Sequence, residues 1–330
     1  MVDETATIIQ GGVPQERIVA LIIAPGGALP GQARTSNTDV SQCGLDYANY
    51  AAYLDTGGGV DNSDVSNAAY QLDQFIHATA SSTSDSEANP YNDRFITISR
   101  EEIWRAVVSR QDFVQKITDL TEALAMCLGD YATASGLGRL PWPVTAALAD
   151  YQQNSSYNDN SGAAFGYAGR LPFIVDNSNS DIGIAGSSEL FNVASCNTLN
   201  VTSGVTVDLQ TVGSEYRKLW DNWKDHFFYV VSKDHAPSNV AAICGADCIT
   251  VDGVQQAGMV VFGCSRQVGQ IRNAPVAGDV DTKSDVANYM ENGNQVLFPD
   301  VGGNGAYNTA GTNDIMFCLS AAASPVASPC

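Results

Sequence analysis

The chain has 330 residues, 44% of them hydrophobic, and can therefore bury one large core or two ordinary ones. Its 36 acidic and 16 basic residues give a formal net charge of -20 at pH 7, so nucleic acid and other polyanions are disfavoured as partners over most of the surface. The N-terminal residues lack the basic region and apolar run of a secretion signal, and no window has the roughly 18 apolar residues of a membrane span.

Two distant segments share one sequence pattern. Residues 22–34 align without gaps to residues 260–272, and each segment reads as an apolar strand, a turn containing glycine and then Gly-Gln-x-Arg. Two shorter matches follow in the same order: Tyr53-Leu54-Asp55 with Tyr289-Met290-Glu291, and Asn92-Asp93 with Asn313-Asp314. The common order predicts a duplicated strand-loop-strand unit, in which segments 18–98 and 256–319 place their strands at equivalent sheet positions.

The two Gly-Gln-x-Arg copies are predicted to be structural. Glycine permits the turn, while glutamine and arginine can donate hydrogen bonds that tie the loop to backbone carbonyls. A phosphate-binding loop would need lysine where Gln32 stands. The predicted structural residues are Gly31, Gln32, Arg34, Gly269, Gln270 and Arg272.

One long helix is predicted between the two copies of the repeat. Ser99 and Glu102 form a capping box, and apolar residues then recur at helical spacing as far as Tyr131. Gly136 ends the pattern. A helix over residues 99–136 would measure roughly 50 Å, which is long enough to act as a spine packed along a sheet.

The chain beyond the helix is predicted to be rich in strands and loops. Apolar strands are expected at residues 227–231, 249–251 and 259–262. Asp252-Gly253 has the sequence of a hairpin turn. We therefore expect two domains, a first β unit over residues 1–98 and a second unit over residues 99–330.

Eight cysteines, an even number, are typical of a disulfide-bonded protein from an oxidising compartment. Cys244 and Cys248 are the predicted small-loop disulfide, and Cys264 with Cys318 is a second candidate pair because both lie on or beside strands of one repeat unit. Free thiols and zinc are the alternatives, but zinc would require another closely spaced pair. The pairing stays open for Cys43, Cys127, Cys196 and Cys330.

The sequence predicts no catalytic residue, cofactor or metal site. It has no Gly-x-Ser-x-Gly motif of a serine hydrolase. His226, beside Asp225, is the best general-base candidate, although a structural histidine is favoured. Residues 279–285 begin like a calcium loop, but Lys283 occupies a ligand position. Paired carboxylates of a glycosidase remain open, because their separation depends on the fold.

Taken together, several motifs in chain order resemble the large type IV pilin-like (prepilin-type) surface proteins of Gram-negative bacteria. The motifs are Ile22-Ile23-Ala24-Pro25-Gly26, the run from Asn92 to Glu102, Leu140-Pro141-Trp142, Gly169-Arg170-Leu171-Pro172-Phe173 and the run from Cys244 to Val251. The resemblance implies an α+β fold with a long N-terminal spine helix packed on an antiparallel sheet. It also implies membrane attachment only through a hydrophobic N-terminal helix that is missing from this sequence, as is the prepilin cleavage motif.

The function expected from this resemblance is that of a non-enzymatic extracellular or cell-surface subunit of a type IV pilus-like filament or secretion pseudopilus. Its partners would be other pilin-like subunits or surface receptors, and its recognition surfaces would be the polar segments 150–168 and 56–91. The alternative is a secreted carbohydrate-active enzyme or carbohydrate-binding module. That alternative would use Trp142, Trp220, Trp223 or nearby tyrosines to stack on sugar rings.

Overall fold

A computed structural model of the protein describes residues 6–10, 13–29, 32, 50–57, 60–63, 74–76, 93–134, 136–159, 166–176, 186–193, 196–237, 243–267, 270 and 282–330. The chain divides into two compact units, which we call the N unit (Val2–Val107) and the C unit (Val108–Cys330). The domain boundary expected between residues 98 and 99 stays a prediction.

The N unit is built on a four-stranded sheet in the order β5-β1-β2-β6. Strand β1 pairs with β2 in antiparallel and with β5 in parallel orientation, and β2 pairs with β6 in antiparallel orientation. A separate two-stranded ribbon is formed by β3 and β4. The bounds are β1 Ala6–Gln10, β2 Val13–Ala24, β3 Thr56–Gly57, β4 Val60–Asp61, β5 Gln74–Ile76 and β6 Arg94–Ser99, followed by α1 Arg100–Val108.

The C unit contains a seven-stranded sheet with β14 near its centre. Its strands follow the order β15-β13-β14-β12-β7, and β16 pairs with the opposite edge of β14 and carries β17. The bounds are α2 Gln111–Ala134, β7 Ala168–Arg170, β8 Ile174–Asp176, β9 Ser187–Glu189, α3 Leu190–Val193, β10 Leu199–Asn200, β11 Thr206–Val207, α4 Glu215–Trp223, β12 Phe227–Val231, β13 Ile249–Val251, β14 Val254–Phe262, β15 Ala306–Tyr307, β16 Ile315–Ser320 and β17 Ala327–Pro329.

Both faces of the central strand β14 are buried, which explains its continuous apolar run. Helix α2 contacts β14, β16 and β17. The opposite face holds a core cluster that includes Met259, Val261 and Tyr289. The fully buried apolar stripe of α2 is Ile117, Leu120, Leu124, Cys127, Leu128 and Tyr131. Burial of one such side chain contributes roughly 1.5 to 3 kcal/mol.

The hairpin between β13 and β14 has the turn predicted from the sequence. Asp252 and Gly253 occupy the two loop positions with φ of 49° and 82°. A two-residue turn with positive φ at both positions matches the right-handed twist of the flanking strands. Asp252 is further held because its carboxylate accepts hydrogen bonds from the backbone N–H and the hydroxyl of Thr309.

The predicted fold class, an α+β protein with a long N-terminal spine helix on an antiparallel sheet, is wrong. The helix expected over residues 99–136 is interrupted at Ser109 and Arg110, and the described residues form more strand than helix. A new helix start is favoured there, because Asp112 in the first turn of α2 accepts from the backbone N–H of Phe113 and pairs with Arg110. The sheets are also mixed, since β1 with β5 and β13 with β15 are parallel pairs.

The two repeat segments, in contrast, have the same strand frame. The order β5-β1-β2-β6 of the N unit corresponds to β15-β13-β14-β16 of the C unit, with the same orientation at every pairing. Ile22 pairs with Ile96, and at the aligned position Val260 pairs with Phe317. A bulge lies at residue 19 in β2 and at residue 257 in β14, which are aligned residues. A shared register and a shared bulge are strong structural signs of a duplication.

Three disulfides are present among the described residues: Cys127–Cys196, Cys244–Cys248 and Cys318–Cys330. The bond between Cys244 and Cys248 is the one predicted from the sequence. The proposed Cys264–Cys318 pair is wrong, because β17 pairs with β16 and brings Cys330 to Cys318. Cys264 is a thiol, and Cys43 lies outside the described residues. No described helix is both long and apolar enough to cross a membrane.

Removing the Cys127–Cys196 bond should be more costly than removing the Cys244–Cys248 bond. The first bond fastens α2 across 69 residues and the second closes a separation of 4. In the loop-entropy model the corresponding stabilisations are about 4 and about 2 kcal/mol. Urea unfolding of the double variants Cys127→Ala/Cys196→Ala and Cys244→Ala/Cys248→Ala measures both losses. Equal losses would contradict the assignment of Cys127–Cys196 as the principal covalent support of α2.

Candidate functional site

Gln32 closes the turn after β2 and connects it to a second segment. Its Oε1 accepts from the backbone N–H of Leu29 at 3.0 Å, and its own N–H donates back to the Leu29 carbonyl. Its Nε2 donates to the carbonyl of Leu54 at 3.0 Å and to Oδ1 of Asp55 at 3.3 Å. A half-buried glutamine therefore holds the turn to the segment that follows a single helical turn at Tyr50–Ala52.

Gln270 makes the aligned contacts in the C unit. Its Oε1 accepts from the backbone N–H of Gln267 at 2.9 Å, and its Nε2 donates to the carbonyls of Ala287 and Met290. Met290 is the aligned counterpart of Leu54, so both glutamines bind the same backbone position. The structure places both side chains in a structural role. The other four residues of the pattern, Gly31, Arg34, Gly269 and Arg272, lie outside the described residues.

Buried carboxylates complete this local structure in the N unit. The backbone N–H of Asp55 donates to Oδ2 of Asp93, and the N–H of Asp93 donates to Oδ2 of Asp55, each at 2.8 Å. Asn62 donates to the same oxygen of Asp93. Burial raises the pKa of Asp93, although the hydrogen bonds from Asn62 and Asp55 oppose the shift. The pair ties the start of β6 to the segment held by Gln32.

The C unit carries aligned acids at Glu291 and Asp314. Glu291 accepts from the backbone N–H of Asn313, and Asp314 accepts from the backbone N–H of Cys264 at the end of β14. The repeat thus duplicates a hydrogen-bonded network as well as a strand frame. Sequence reasoning identified the residues of this network through the repeat but gave a role only to the Gly-Gln-x-Arg positions.

Arg170 is a fully buried cation at the centre of the C unit. Its guanidinium donates to the carbonyls of Ala146, Asp225 and Lys283, which belong to three separate segments. The rings of Tyr151, Phe228 and Tyr289 lie 4.9, 4.9 and 5.3 Å from its Cζ. A guanidinium can satisfy several carbonyls in one plane while its faces stack on aromatic rings.

His226 and Asp225, the catalytic candidates from the sequence, belong to the same buried region. Nδ1 of His226 lies 2.9 Å from the carbonyl oxygen of Gly263, and the ring stacks on Phe262 at 5.5 Å. Nζ of Lys283 lies 2.7 Å from Oδ2 of Asp225. Burial alone would raise the pKa of Asp225, but Lys283 and His226 lower it below its usual range. Lys283 therefore serves as an internal counter-ion where the calcium interpretation needed a ligand.

His235 lies against the Cys244–Cys248 disulfide. Its Nδ1 is 3.8 Å from Sγ of Cys248, 4.0 Å from Sγ of Cys244 and 3.0 Å from Oγ of Ser232. By distance alone, the His235 nitrogen and the sulfurs of Cys244 and Cys248 are close enough together to hold a metal ion. Metal binding by cysteine requires thiolates, and the disulfide consumes both of them. Burial lowers the pKa of His235, which favours the neutral imidazole.

The tryptophans proposed as sugar-stacking platforms are core residues. Trp220 is fully buried and packs against Phe173, Phe191 and Phe227, and Trp142 and Trp223 are nearly as buried. A sugar ring can stack only on an accessible aromatic face. None of these three residues offers one.

The segment 150–159 is anchored to the core by Tyr151, Tyr157 and Asp159, while Gln152, Gln153, Ser155 and Asn158 are exposed. Tyr157 is fully buried, its hydroxyl donates to the Tyr151 carbonyl, and its own carbonyl accepts from the backbone N–H groups of Phe173 and Ile174. Recognition through the stretch 150–168 stays a prediction, and its described part offers exposed polar residues between buried anchors. Most of the other proposed recognition segment, 56–91, lies outside the described residues.

An apolar face of the N-unit sheet is exposed to solvent. Ile22, Ile96 and Ile98 are 57%, 65% and 37% exposed and lie on one face of β2 and β6, because Ile22 pairs with Ile96 and Ala20 pairs with Ile98. The open face is defined as the exposed residues Ala20, Ile22, Ala24, Ile96 and Ile98. The aligned residues of the C unit, Val260, Phe317 and Leu319, are 0%, 4% and 0% exposed.

Comparisons of the chain with protein-family models, with curated proteins and with solved structures gave no match. Functional assignment therefore depends on the geometry of the described residues. Two features stand out. The charged groups of the interior are bonded within the fold, and the N unit exposes an apolar sheet face whose counterpart in the C unit is buried.

Replacing Arg170 with leucine should lower the free energy of unfolding by about 3 to 5 kcal/mol, because three buried carbonyls lose their donor. The exposed Arg110, which pairs with Asp112, provides the matched control. Arg110→Leu should change stability by about 0.5 kcal/mol or less. Urea unfolding of both variants makes the comparison. A small loss at Arg170 would mean that water satisfies those carbonyls.

Stability should fall as the pH rises through the titration of Asp159. This nearly buried carboxyl has a pKa raised to about 6 by burial, opposed by a hydrogen bond from the backbone N–H of Asp176. The folded state then binds a proton that the unfolded chain releases near pH 4, so the contribution is full below about pH 4 and is lost through pH 6.

The variant Asp159→Asn should remove this dependence. The difference in unfolding free energy between wild type and Asp159→Asn should change by up to about 3 kcal/mol between pH 4 and pH 7. Asp112→Asn is the control, because Arg110 lowers the pKa of Asp112 and moves its titration below this window. Urea titrations across the range provide the measurement. Parallel curves for wild type and Asp159→Asn would show that Asp159 is ionised throughout.

Proposed function

We propose that the protein is a non-enzymatic extracellular subunit of a cell-surface assembly, of the kind represented by type IV pilus-like filaments and secretion pseudopili. The observation that carries the proposal is the open face. The same sheet frame occurs in both units. The apolar face of this frame is buried in the C unit but exposed in the N unit, where another molecule can cover it. Exposed apolar faces of this kind mark interaction sites.

The disulfides support the extracellular part of the proposal. Three bonds stabilise the C unit, and two of them fasten secondary-structure elements, α2 through Cys127–Cys196 and the strand β16 through Cys318–Cys330. Such bonds persist in oxidising compartments. These disulfides would therefore stabilise a subunit that works outside the cell.

The use of the buried polar groups supports a scaffold role. Arg170 binds three carbonyls, Lys283 neutralises Asp225, and Gln270 holds a turn. A catalytic group must face a substrate, whereas these groups face the protein's own backbone or counter-ions. The strong negative charge of the whole chain further favours neutral, cationic or protein partners.

Antibodies raised against the purified protein should label the surface of intact source cells and any filaments sheared from them. Gold labelling in the electron microscope, with cells lacking the gene as the control, makes the measurement. The sheared surface fraction should contain the chain in its disulfide-bonded form. Label confined to the cytoplasm would overturn the extracellular assignment, and label released entirely into the medium would overturn the assembly assignment.

A further inference from the structure

We propose that the open face of the N unit binds an amphipathic α-helix of the same pattern as α2, supplied by a neighbouring subunit. This inference deepens the proposed function and rests on it for the source of the helix. The equivalence of the two sheets carries the recognition itself. Because helix α2 covers the aligned face of the C-unit sheet, we expect a helix to cover the open face of the N-unit sheet.

Residue by residue, the open face corresponds to the surface under α2. Ile22 aligns with Val260, Ile96 with Phe317, and the register is the same in both strand pairs. Ile98 aligns in the same way with Leu319. In the C unit α2 contacts β14 and β16, and a Cβ at its Gly129 would be in van der Waals contact with Cδ2 of Leu319 at 3.8 Å and only 2.6 Å from the Pro325 carbonyl oxygen. The N-unit sheet therefore repeats the strand register of a surface that a helix covers.

The side chains of the open face suit this partner. Ile22, Ile96 and Ile98 form an apolar row with Ala20 and Ala24 beside it, as do Val260, Phe317 and Leu319 with Gly258 in the C unit. A helix packs on such a row with apolar residues three and four positions apart, as α2 does. The small side chains of Ala20 and Ala24 leave room for an incoming helix beside the row.

The charge of Arg94 indicates which kind of residue one end of the incoming helix should carry. Arg94 pairs with Ala24, so it lies on the open face at the end of β6, where the C unit has Ile315. Arg94 is exposed. An acidic residue at the matching end of the incoming helix would therefore pair with Arg94. This complementarity distinguishes the proposed partner from α2 itself and from a purely apolar helix.

A second feature of the frame agrees with an incoming polypeptide. In the C unit, residues 258–262 of β14 pair with β16 on one edge and with β12 on the other. In the described part of the N unit, the aligned residues 20–24 of β2 pair with β6 alone. The N unit thus shows the repeated strand frame without described counterparts of either α2 or β12.

A synthetic peptide of residues 111–134, with Cys127→Ala to prevent disulfide exchange and Thr118→Asp as an added acid, is the probe. It should bind the full-length protein with a Kd in roughly the micromolar range and gain helicity on binding. The control peptide additionally carries Leu120→Gln, Leu124→Gln and Leu128→Gln. Titration calorimetry gives the affinity, and circular dichroism reports the helicity.

The variant Ile96→Glu should weaken binding of the probe by about tenfold or more, because it places a charge in the middle of the open face. Val212→Glu, at an exposed apolar residue of the C unit, is the matched control and should leave the affinity unchanged. Both substituted side chains are exposed, so both variants should fold. Unfolding curves verify this.

Any of four results would overturn the inference, the first three of which concern the probe. They are no binding of the probe up to about 1 mM, equal binding of the control peptide, or an affinity that Ile96→Glu leaves unchanged. A fourth is self-association of the wild type that Ile96→Glu abolishes, because it would assign the open face to a second copy of this chain. Surface labelling of source cells would still test the proposed function in each case.

Discussion

The buried guanidinium of Arg170 is the interaction on which the C unit depends. A buried cation is tolerated only when its donors are satisfied and a counter-charge is near. Here the donors bind three carbonyls from segments distant in sequence, and the Lys283–Asp225 pair lies in the same region. Loss of this group would leave the carbonyls without a donor and separate three segments at once. The aromatic rings around it exclude water and so make each of these contacts stronger.

A second constraint is the network behind each copy of the repeat. The glutamine turn, the buried acid after it and the bulged strand pair recur together at aligned positions. A change of register by one residue would move the apolar side chains of β14 to the opposite face. The hydrogen bond from the Cys264 backbone N–H to Asp314 fixes the end of β14 relative to the start of β16, and Gln270 holds the turn that follows β14. Polar residues in this network therefore specify where the apolar ones lie.

The sequence predicted those features that depend on local chemistry. The Asp252-Gly253 hairpin follows from turn preferences, the Cys244–Cys248 bond follows from proximity along the chain, and the equivalence of the two strand frames follows from the alignment of the two segments. The interruption at Ser109 and Arg110 was missed, because the apolar spacing continues through it and the break depends on local contacts of Asp112. The parallel pairing of β13 with β15 is non-local and leaves no periodic signal.

The candidate site was less predictable for a physical reason. Ile22 and Val260 have equivalent positions and similar chemistry, yet one is exposed and the other buried. Their difference depends on whether a helix lies above the sheet, which a sequence pattern cannot show. The partner of Cys330 was likewise left open from the sequence, because nothing in its Ala/Ser/Pro-rich surroundings indicates which strand it joins. Only the pairing of β17 with β16 reveals its partner.

The bond between Cys318 and Cys330 also determines how the C unit would respond to tension. A pull applied at Cys330 would pass through a covalent bond to Cys318, inside β16, before it reached the hydrogen bonds of β17. The eleven residues between the two cysteines would carry none of the load. Because β16 is paired on both sides, with β14 and β17, the load would enter the sheet at an interior strand. The edge strand could not be peeled away one hydrogen bond at a time.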